Sequence, residues 1–148
     1  MKVKKFLALL LGAVLSAFLL AGCSPQPEAV YPEFDASQVE EVAVCSDSLN
    51  PPGYTALPQE EAQNTVTWLA ELTGVRQNNP KPELQVGTPV IFRFTQTDGS
   101  RFYLIFHGGE NYNLTLQTQD SDTCYNLSSE QCTPWSELAG RYYGSLTG

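Results

Sequence analysis

The chain has 148 residues, and its 16 acidic side chains outnumber eight basic ones, giving a formal net charge of −8. This length favours one compact domain with its own core over two domains. The acidic balance disfavours nucleic acid and anionic lipid headgroups as partners, because both repel a negatively charged surface.

The first 22 residues have the composition of a secretion signal. Lys2, Lys4 and Lys5 form a positively charged start, an apolar run covers 6–20, and small residues follow. The apolar run is shorter than the ~20 residues that a transmembrane helix needs. Removal of residues 1–22 leaves 126 residues with a net charge of −11, because the signal carries three of the basic residues.

The signal ends in Leu20-Ala21-Gly22-Cys23, which resembles the lipobox of bacterial lipoproteins at all four positions. The resemblance implies that the Cys23 thiol receives a diacylglyceryl group and that the chain is cut just before it. Two acyl chains, each contributing about 0.8 kcal/mol per buried CH₂, give stable attachment where one chain gives only marginal binding. We therefore expect a cell-membrane protein, lipid-anchored on the extracytoplasmic face. An ordinary secretory signal that ends by chance in a cysteine is the alternative.

Residues 23–36 are predicted to form the lipidated N-terminus and a flexible tether, because prolines and acidic residues dominate there. One globular domain is expected over 37–148. Its first strand is predicted near 39–45, and Asn50-Pro51-Pro52-Gly53 stops it. An amphipathic helix is expected from about Pro58 to Thr73, with Gly74 as its C-terminal stop.

From residue 90 the apolar period changes to two, which predicts a hairpin of strands 90–96 and 101–107 around Thr97-Asp98-Gly99. A three-residue turn with Gly99 left-handed is preferred over a two-residue loop. Only that register pairs Phe94 with Phe102 and leaves one wholly apolar face, whose burial stabilises each phenylalanine by ~1.5 to 3 kcal/mol.

Two more strands are predicted near 112–117 and 123–127, followed by a helix with Thr133 as its cap and Pro134 as its first residue. The expected fold is a two-layer α+β domain in which an antiparallel meander of four to five strands carries two helices on one face. The predicted order is β-α-β-β-β-β-α. The mature chain resembles the small, uncharacterised lipoproteins of Gram-positive bacteria, which implies this location and layout but no activity.

Three cysteines remain after Cys23. The spacing is compatible with two arrangements. In the first, Cys124 and Cys132 form a disulfide and Cys45 is free. In the second, all three cysteines are reduced. His107 is the single histidine, and no Cys-x-x-Cys pair occurs, so no metal or cofactor is predicted.

The string His107-Gly108-Gly109-Glu110 resembles the start of a hydrolase oxyanion loop, but the chain has no Gly-x-Ser-x-Gly nucleophile motif. A turn between strands explains the glycines, so no catalytic residue is assigned. The alternative function is a small hydrolase acting on a cell-envelope polymer through Glu110, His107, Asp120 or Asp122.

The second face of the hairpin is the candidate interaction face. It combines two arginines with aromatic and aliphatic residues, a composition enriched at protein interfaces: Arg93, Tyr103, Ile91, Ile105 and Arg101. An ordinary outer face, with the Arg93 stem lying on Tyr103, is the alternative. The leading prediction is a noncatalytic binding module for a protein, peptide or envelope component.

Overall fold

A computed structural model describes residues 24–47, 52–78, 89–107 and 112–143, so Cys23, the predicted signal and the turn at 108–111 lie outside the described residues. The described chain forms one antiparallel sheet with the order β1-β4-β8-β7-β6-β5-β2-β3. The strands are β1 (Glu28–Ala29), β2 (Val39–Asp47), β3 (Gly53–Ala56), β4 (Thr73–Gln77), β5 (Val90–Gln96), β6 (Arg101–His107), β7 (Asn113–Gln117) and β8 (Asp122–Asn126), and the helices are α1 (Gln59–Glu71) and α2 (Ser129–Tyr143).

The α+β class is confirmed, but the predicted strand number and element order are wrong. The sheet has eight described strands instead of four to five, and β1, β3 and β4 are the additions. Two of them have two and four residues, and β4 (TGVRQ) has no alternation of apolar and polar residues. These strands form because neighbouring strands pair with them, which is a tertiary effect that local pattern does not carry.

The meander from β5 to β8 and its first turn agree with the sequence prediction. Phe94 pairs with Phe102 and Phe92 with Leu104. Gly99 has φ +82°, and its N–H donates to the Gln96 carbonyl at 2.9 Å. The three-residue turn therefore sets the register that gathers the hairpin phenylalanines on one face.

That apolar face, which we call the inner face, carries the core. Phe92 and Phe94 are fully buried in one cluster with Leu69 of α1 and with Trp135 and Leu138 of α2. The Trp135 ring meets Phe92 edge-on at 5.0 Å. Both helices thus pack on the same side of the sheet, as the sequence predicted.

The second half of the predicted tether also packs on the inner face. Glu28–Ala29 pairs with β4, and Val30 is fully buried with its N–H donating to the Leu72 carbonyl at 3.0 Å. Tyr31 meets Phe102 edge-on at 5.1 Å. The folded part of the chain therefore begins before residue 37.

Gly74 has a different role from the predicted helix stop. It lies in β4, and a Cβ added there would lie 2.7 Å from Leu127 Cδ2 and 3.0 Å from Tyr125 Cβ. Helix α1 instead ends at Glu71, and the capping residue Leu72 takes an extended conformation. Glycine at 74 allows β4 to approach β8 closely.

The two helices run antiparallel in a constant register. Arg141 Nη1 lies 3.0 Å from Glu61 Oε1, the rings of Trp68 and Trp135 are 5.7 Å apart, and Gln131 Nε2 donates to Thr73 Oγ1 at 3.4 Å. Helix α2 begins at Ser129, earlier than predicted, so Pro134 lies inside it.

Candidate functional site: the outer face of the sheet

The side chains that alternate with the core phenylalanines project from the opposite side of the sheet, which we call the outer face. Three cross-strand pairs on it have the predicted register: Arg93 with Tyr103, Ile91 with Ile105, and Thr95 with Arg101. Ile91, Tyr103 and Ile105 are half-buried, and Arg101 is exposed. Since α1 and α2 both join the inner-face core, neither of these described helices packs on the outer face.

Arg93 is held by two neighbours that the sequence did not indicate. Its Nη2 donates to Glu41 Oε1 at 2.9 Å, and its guanidinium carbon lies 4.6 Å from the centre of the Tyr54 ring. Tyr54 belongs to the unpredicted strand β3, and its ring centre is 6.3 Å from that of Tyr103. Arginine and two tyrosines from three strands therefore form one cluster, which combines a cation–π contact with an ion pair.

This cluster explains the burial of small residues beneath it. Ala43 and Cys45 project from the outer face of β2, yet they are 0% and 2% exposed. Tyr54 is the register partner of Cys45, and Arg93 is that of Ala43, so their long side chains cover the two small ones. Small residues on β2 thus provide the space in which the Tyr54 ring and the guanidinium meet.

Two buried polar atoms on β5, Arg93 Nε and Thr95 Oγ1, have no hydrogen-bond partner among the described residues. Leaving a buried donor or acceptor unsatisfied costs about 1 to 3 kcal/mol.

A second polar row crosses the outer face on the other side of Tyr103. His107 Nε2 and Thr115 Oγ1 are 2.8 Å apart, and Thr115 Oγ1 is 3.5 Å from Cys124 Sγ. Desolvation by burial lowers the pKa of His107 below its usual 6.5, so the imidazole is neutral at pH 7. The row links β6, β7 and β8 through side chains.

The described residues of the hydrolase hypothesis do not converge. His107 pairs with Asn113 at the start of β7, whereas Asp122 pairs with Gln117 at its end, four residues or roughly 13 Å along the strand. Asp120 is exposed in the turn before β8, and Glu110 lies outside the described residues. Within the described ranges, no three His, Cys, Asp or Glu side chains form a metal-ligand cluster.

The hypothesis of a Cys124–Cys132 disulfide is not realised, since both are separate thiols. Cys124 projects from the outer face of β8 beside Thr115, while Cys132 of α2 is buried in the inner-face core. The sheet itself lies between them, and a disulfide requires adjacent Cβ atoms. Burial raises the pKa of the Cys132 thiol to about 11.

Comparison with known proteins gave no match to a family model, a curated protein or a solved structure. Neither helix in the described part of the chain is long and apolar enough to cross a membrane.

Proposed function

We propose that the chain is a lipid-anchored extracytoplasmic lipoprotein that acts as a noncatalytic binding module, and that the outer face of its sheet contacts a protein partner. The observation that carries the proposal is the composition of this face. Half-buried Ile91 and Ile105 lie on one side of the row formed by Arg93 and Tyr103, exposed Arg101 lies on the other side, and no described helix covers them. Aromatic residues and arginine dominate binding energy at protein interfaces.

Charge supports the same partner class. The chain is acidic as a whole, whereas Arg101 is exposed and has no ion-pair partner in the described part of the chain. A cation on an otherwise acidic protein attracts a carboxylate and repels a second basic surface. We therefore expect the partner to place an acidic side chain opposite Arg101.

The cluster around Arg93 supplies rigidity. Its ion pair with Glu41 and its position over Tyr54 fix the guanidinium before binding. A side chain that is already ordered loses less conformational entropy when a partner arrives. Arg93 and Tyr103 are the expected central contacts, and Arg101 is the expected peripheral one.

The anchor is proposed from the lipobox at 20–23. A diacylated Cys23 keeps the domain at the outer surface of the membrane, where an interaction surface meets other envelope proteins at high local concentration. The hydrolase alternative has no comparable support, because its described residues lie at opposite ends of β7.

Site-specific photocrosslinking of the anchored full-length chain tests the proposal. A photoreactive phenylalanine derivative at position 105 should give a discrete crosslinked protein, and the same probe at Glu137, exposed on α2, should not. Arg101→Glu combined with the probe at 105 should lower the yield about tenfold, equivalent to 1.4 kcal/mol. Equal products from both positions, or a yield unaffected by Arg101→Glu, would contradict the proposal.

A further inference from the structure

The meander contributes few charges to the outer face. Strands β5 to β8 contain only three side chains with a formal charge at pH 7: Arg93, Arg101 and Asp122. Arg93 is the register partner of Tyr103, which also pairs with Gln117. Asp122 pairs with Gln117 in turn, and cross-strand partners share a face of the sheet. All three charges therefore lie on the outer face, since Arg101 is two residues from Tyr103 on the same strand.

One unpaired charge of each sign remains on this face. Arg93 is neutralised by Glu41 at 2.9 Å. Arg101 and Asp122 are both exposed, and neither makes an ion pair or a side-chain hydrogen bond with a residue that the structure describes. The outer face of the meander is thus electrically balanced, although the whole chain has a net charge of −8.

Part of the acidic excess lies on the other side of the sheet. The helices that pack on the inner face carry five carboxylates: Glu60, Glu61, Glu71, Glu130 and Glu137. A helix is about 10 Å across, and charges are screened over about 8 Å at physiological ionic strength. Repulsion between the helix carboxylates of two copies is therefore weak when their outer faces meet.

The unpaired charges have a fixed spacing. Asp122 is on β8, two strands from β6, and its position along the strands is that of Tyr103, two residues from Arg101. Two strand spacings of about 4.8 Å and two residues of about 3.4 Å separate the backbones of Arg101 and Asp122 by roughly 12 Å. A partner that satisfies both must present a carboxylate and a cation at the same spacing.

We propose that the protein partner of the outer face is a second copy of the same chain. The inference rests on the binding role proposed for this face above and names the partner. A two-fold axis that lies in the interface and passes between Tyr103 and Gln117 places Arg101 of each copy opposite Asp122 of the other. An unrelated acidic partner would satisfy Arg101 and leave Asp122 unpaired beside it, whereas a second copy satisfies both.

The residues beside the axis also match. Tyr103 and Gln117 are half-buried, and neither side chain makes a hydrogen bond within the described ranges. The Tyr103 hydroxyl is a donor, and the Gln117 carboxamide oxygen is an acceptor. Tyr103 of each copy therefore meets Gln117 of the other across the axis, so the centre of the contact is self-complementary, as the charged pairs at its edges are.

The size of the face sets the strength of the contact. The five strands from β8 to β2 span roughly 24 Å, and five residues along each span roughly 17 Å, so the face has on the order of 400 Å² in projection. A standard stable interface buries about 800 Å² per partner. We therefore expect a weak dimer with a Kd in the micromolar range, favoured when both copies are anchored in one membrane.

Photocrosslinking between two tagged copies tests the inference. Cells express the full-length chain in two versions with different epitope tags, and one version carries the photoreactive phenylalanine derivative at position 105. The crosslinked product should carry both tags and have twice the mass of one chain. Arg101→Glu or Asp122→Arg in both copies should each lower its yield about tenfold, and Asp122→Asn, which keeps the side-chain shape, about threefold.

Exchange of the two charges between copies is the decisive arm. When one copy carries Arg101→Glu and the other carries Asp122→Arg, each contact again joins opposite charges. The yield should then recover to within about twofold of the unsubstituted pair. The matched control is Glu137→Arg, which makes the same charge change as Asp122→Arg on exposed α2 and should leave the yield unchanged.

The outcomes separate this inference from the binding role on which it rests. A product that joins one tagged copy to a different protein would overturn the inference and leave the binding role in place. Yields unaffected by Arg101→Glu and by both Asp122 variants, or no recovery in the mixed pair, would also overturn it. Absence of any discrete product from position 105 would contradict the inference and the binding role together.

Discussion

Arg93 on β5 and Glu41 on β2 form an ion pair across adjacent strands, with 2.9 Å between Nη2 and Oε1. The Arg93 side chain is 20% exposed, Glu41 is 43% exposed, and the guanidinium also lies over Tyr54. The pair therefore connects β2, β3 and β5 on the outer face. Arg101, one register step along the same face, is exposed and has no such connection in the described part of the chain.

Replacement of Arg93 by alanine should therefore destabilise the fold more than the same change at Arg101. Arg93→Ala removes stem packing, a cation–π contact and a partly screened ion pair, for a total of about 1 to 2 kcal/mol. Arg101→Ala should change the free energy of unfolding by less than about 0.5 kcal/mol. Urea unfolding of the two variants measures the difference.

Glu41→Gln provides the control for the ion pair. The double-mutant cycle with Arg93→Ala should give a coupling of about 0.2 to 1 kcal/mol, typical of pairs that remain accessible to solvent. Equal stability of the Arg93 and Arg101 variants would show that the cluster does not connect the strands as described.

The hairpin was predictable because its signals are local. Gly99 after Thr97-Asp98 specifies the turn, and one register alone collects Phe92, Phe94 and Phe102 on one face. By contrast, the positions of Tyr54 in β3 and Gly74 in β4 are set by contacts with strands distant in sequence. The local sequences of these strands, GYTA and TGVRQ, do not indicate those contacts.

The candidate site on the outer face also has a part that the sequence predicted and a part that it did not. The alignment of Arg93 with Tyr103 follows from the turn, so the sequence predicted it. Glu41 and Tyr54 reach Arg93 because β2 and β3 add to the β5 edge of the meander, and that order is set by sheet assembly. The antiparallel register of α1 and α2 is likewise set by tertiary packing, because periodicity within each helix does not contain it.

Glycine substitutions provide a matched pair for the hairpin turn. Gly99 has φ +82°, so Gly99→Ala should destabilise the chain by about 1 to 2 kcal/mol. Gly140 lies in α2 with nothing within 4 Å of an added Cβ, so Gly140→Ala should stabilise it by roughly 0.5 to 1 kcal/mol. Opposite shifts of the urea midpoint are expected, and a shift of the same sign in both would contradict the turn geometry.

Lipidation makes a direct prediction for Cys23. Cells that express the chain and are fed labelled palmitate should yield labelled protein in the membrane fraction, because acyl chains on this thiol provide the anchor. Cys23→Ala should lose the label and leave that fraction, whereas Cys45→Ala, which changes another cysteine of the chain, should retain both. Unlabelled protein released into the medium would instead indicate an ordinary secretory signal.

The Cys132 thiol predicts how stability changes at alkaline pH. Burial raises its pKa to about 11, so the folded chain keeps this proton at a pH where the unfolded thiol, with a pKa near 9, has lost it. Its contribution is therefore fully present below about pH 9 and is lost as pH rises towards 11, at up to 1.4 kcal/mol per pH unit.

Cys132→Ala should be less stable at pH 8.5, because it removes a buried side chain, but its stability should fall less steeply above pH 9. Tyrosines with raised pKa values, such as Tyr142 at about 12, also make the free energy of unfolding depend on pH. They do so equally in the unsubstituted chain and in Cys132→Ala, so their effect cancels in the difference between the two. Urea unfolding at a series of pH values should therefore show the gap between the two chains narrowing from pH 8.5 to 10.5. A gap that stays constant would mean that the thiol is not buried in the core of the folded chain.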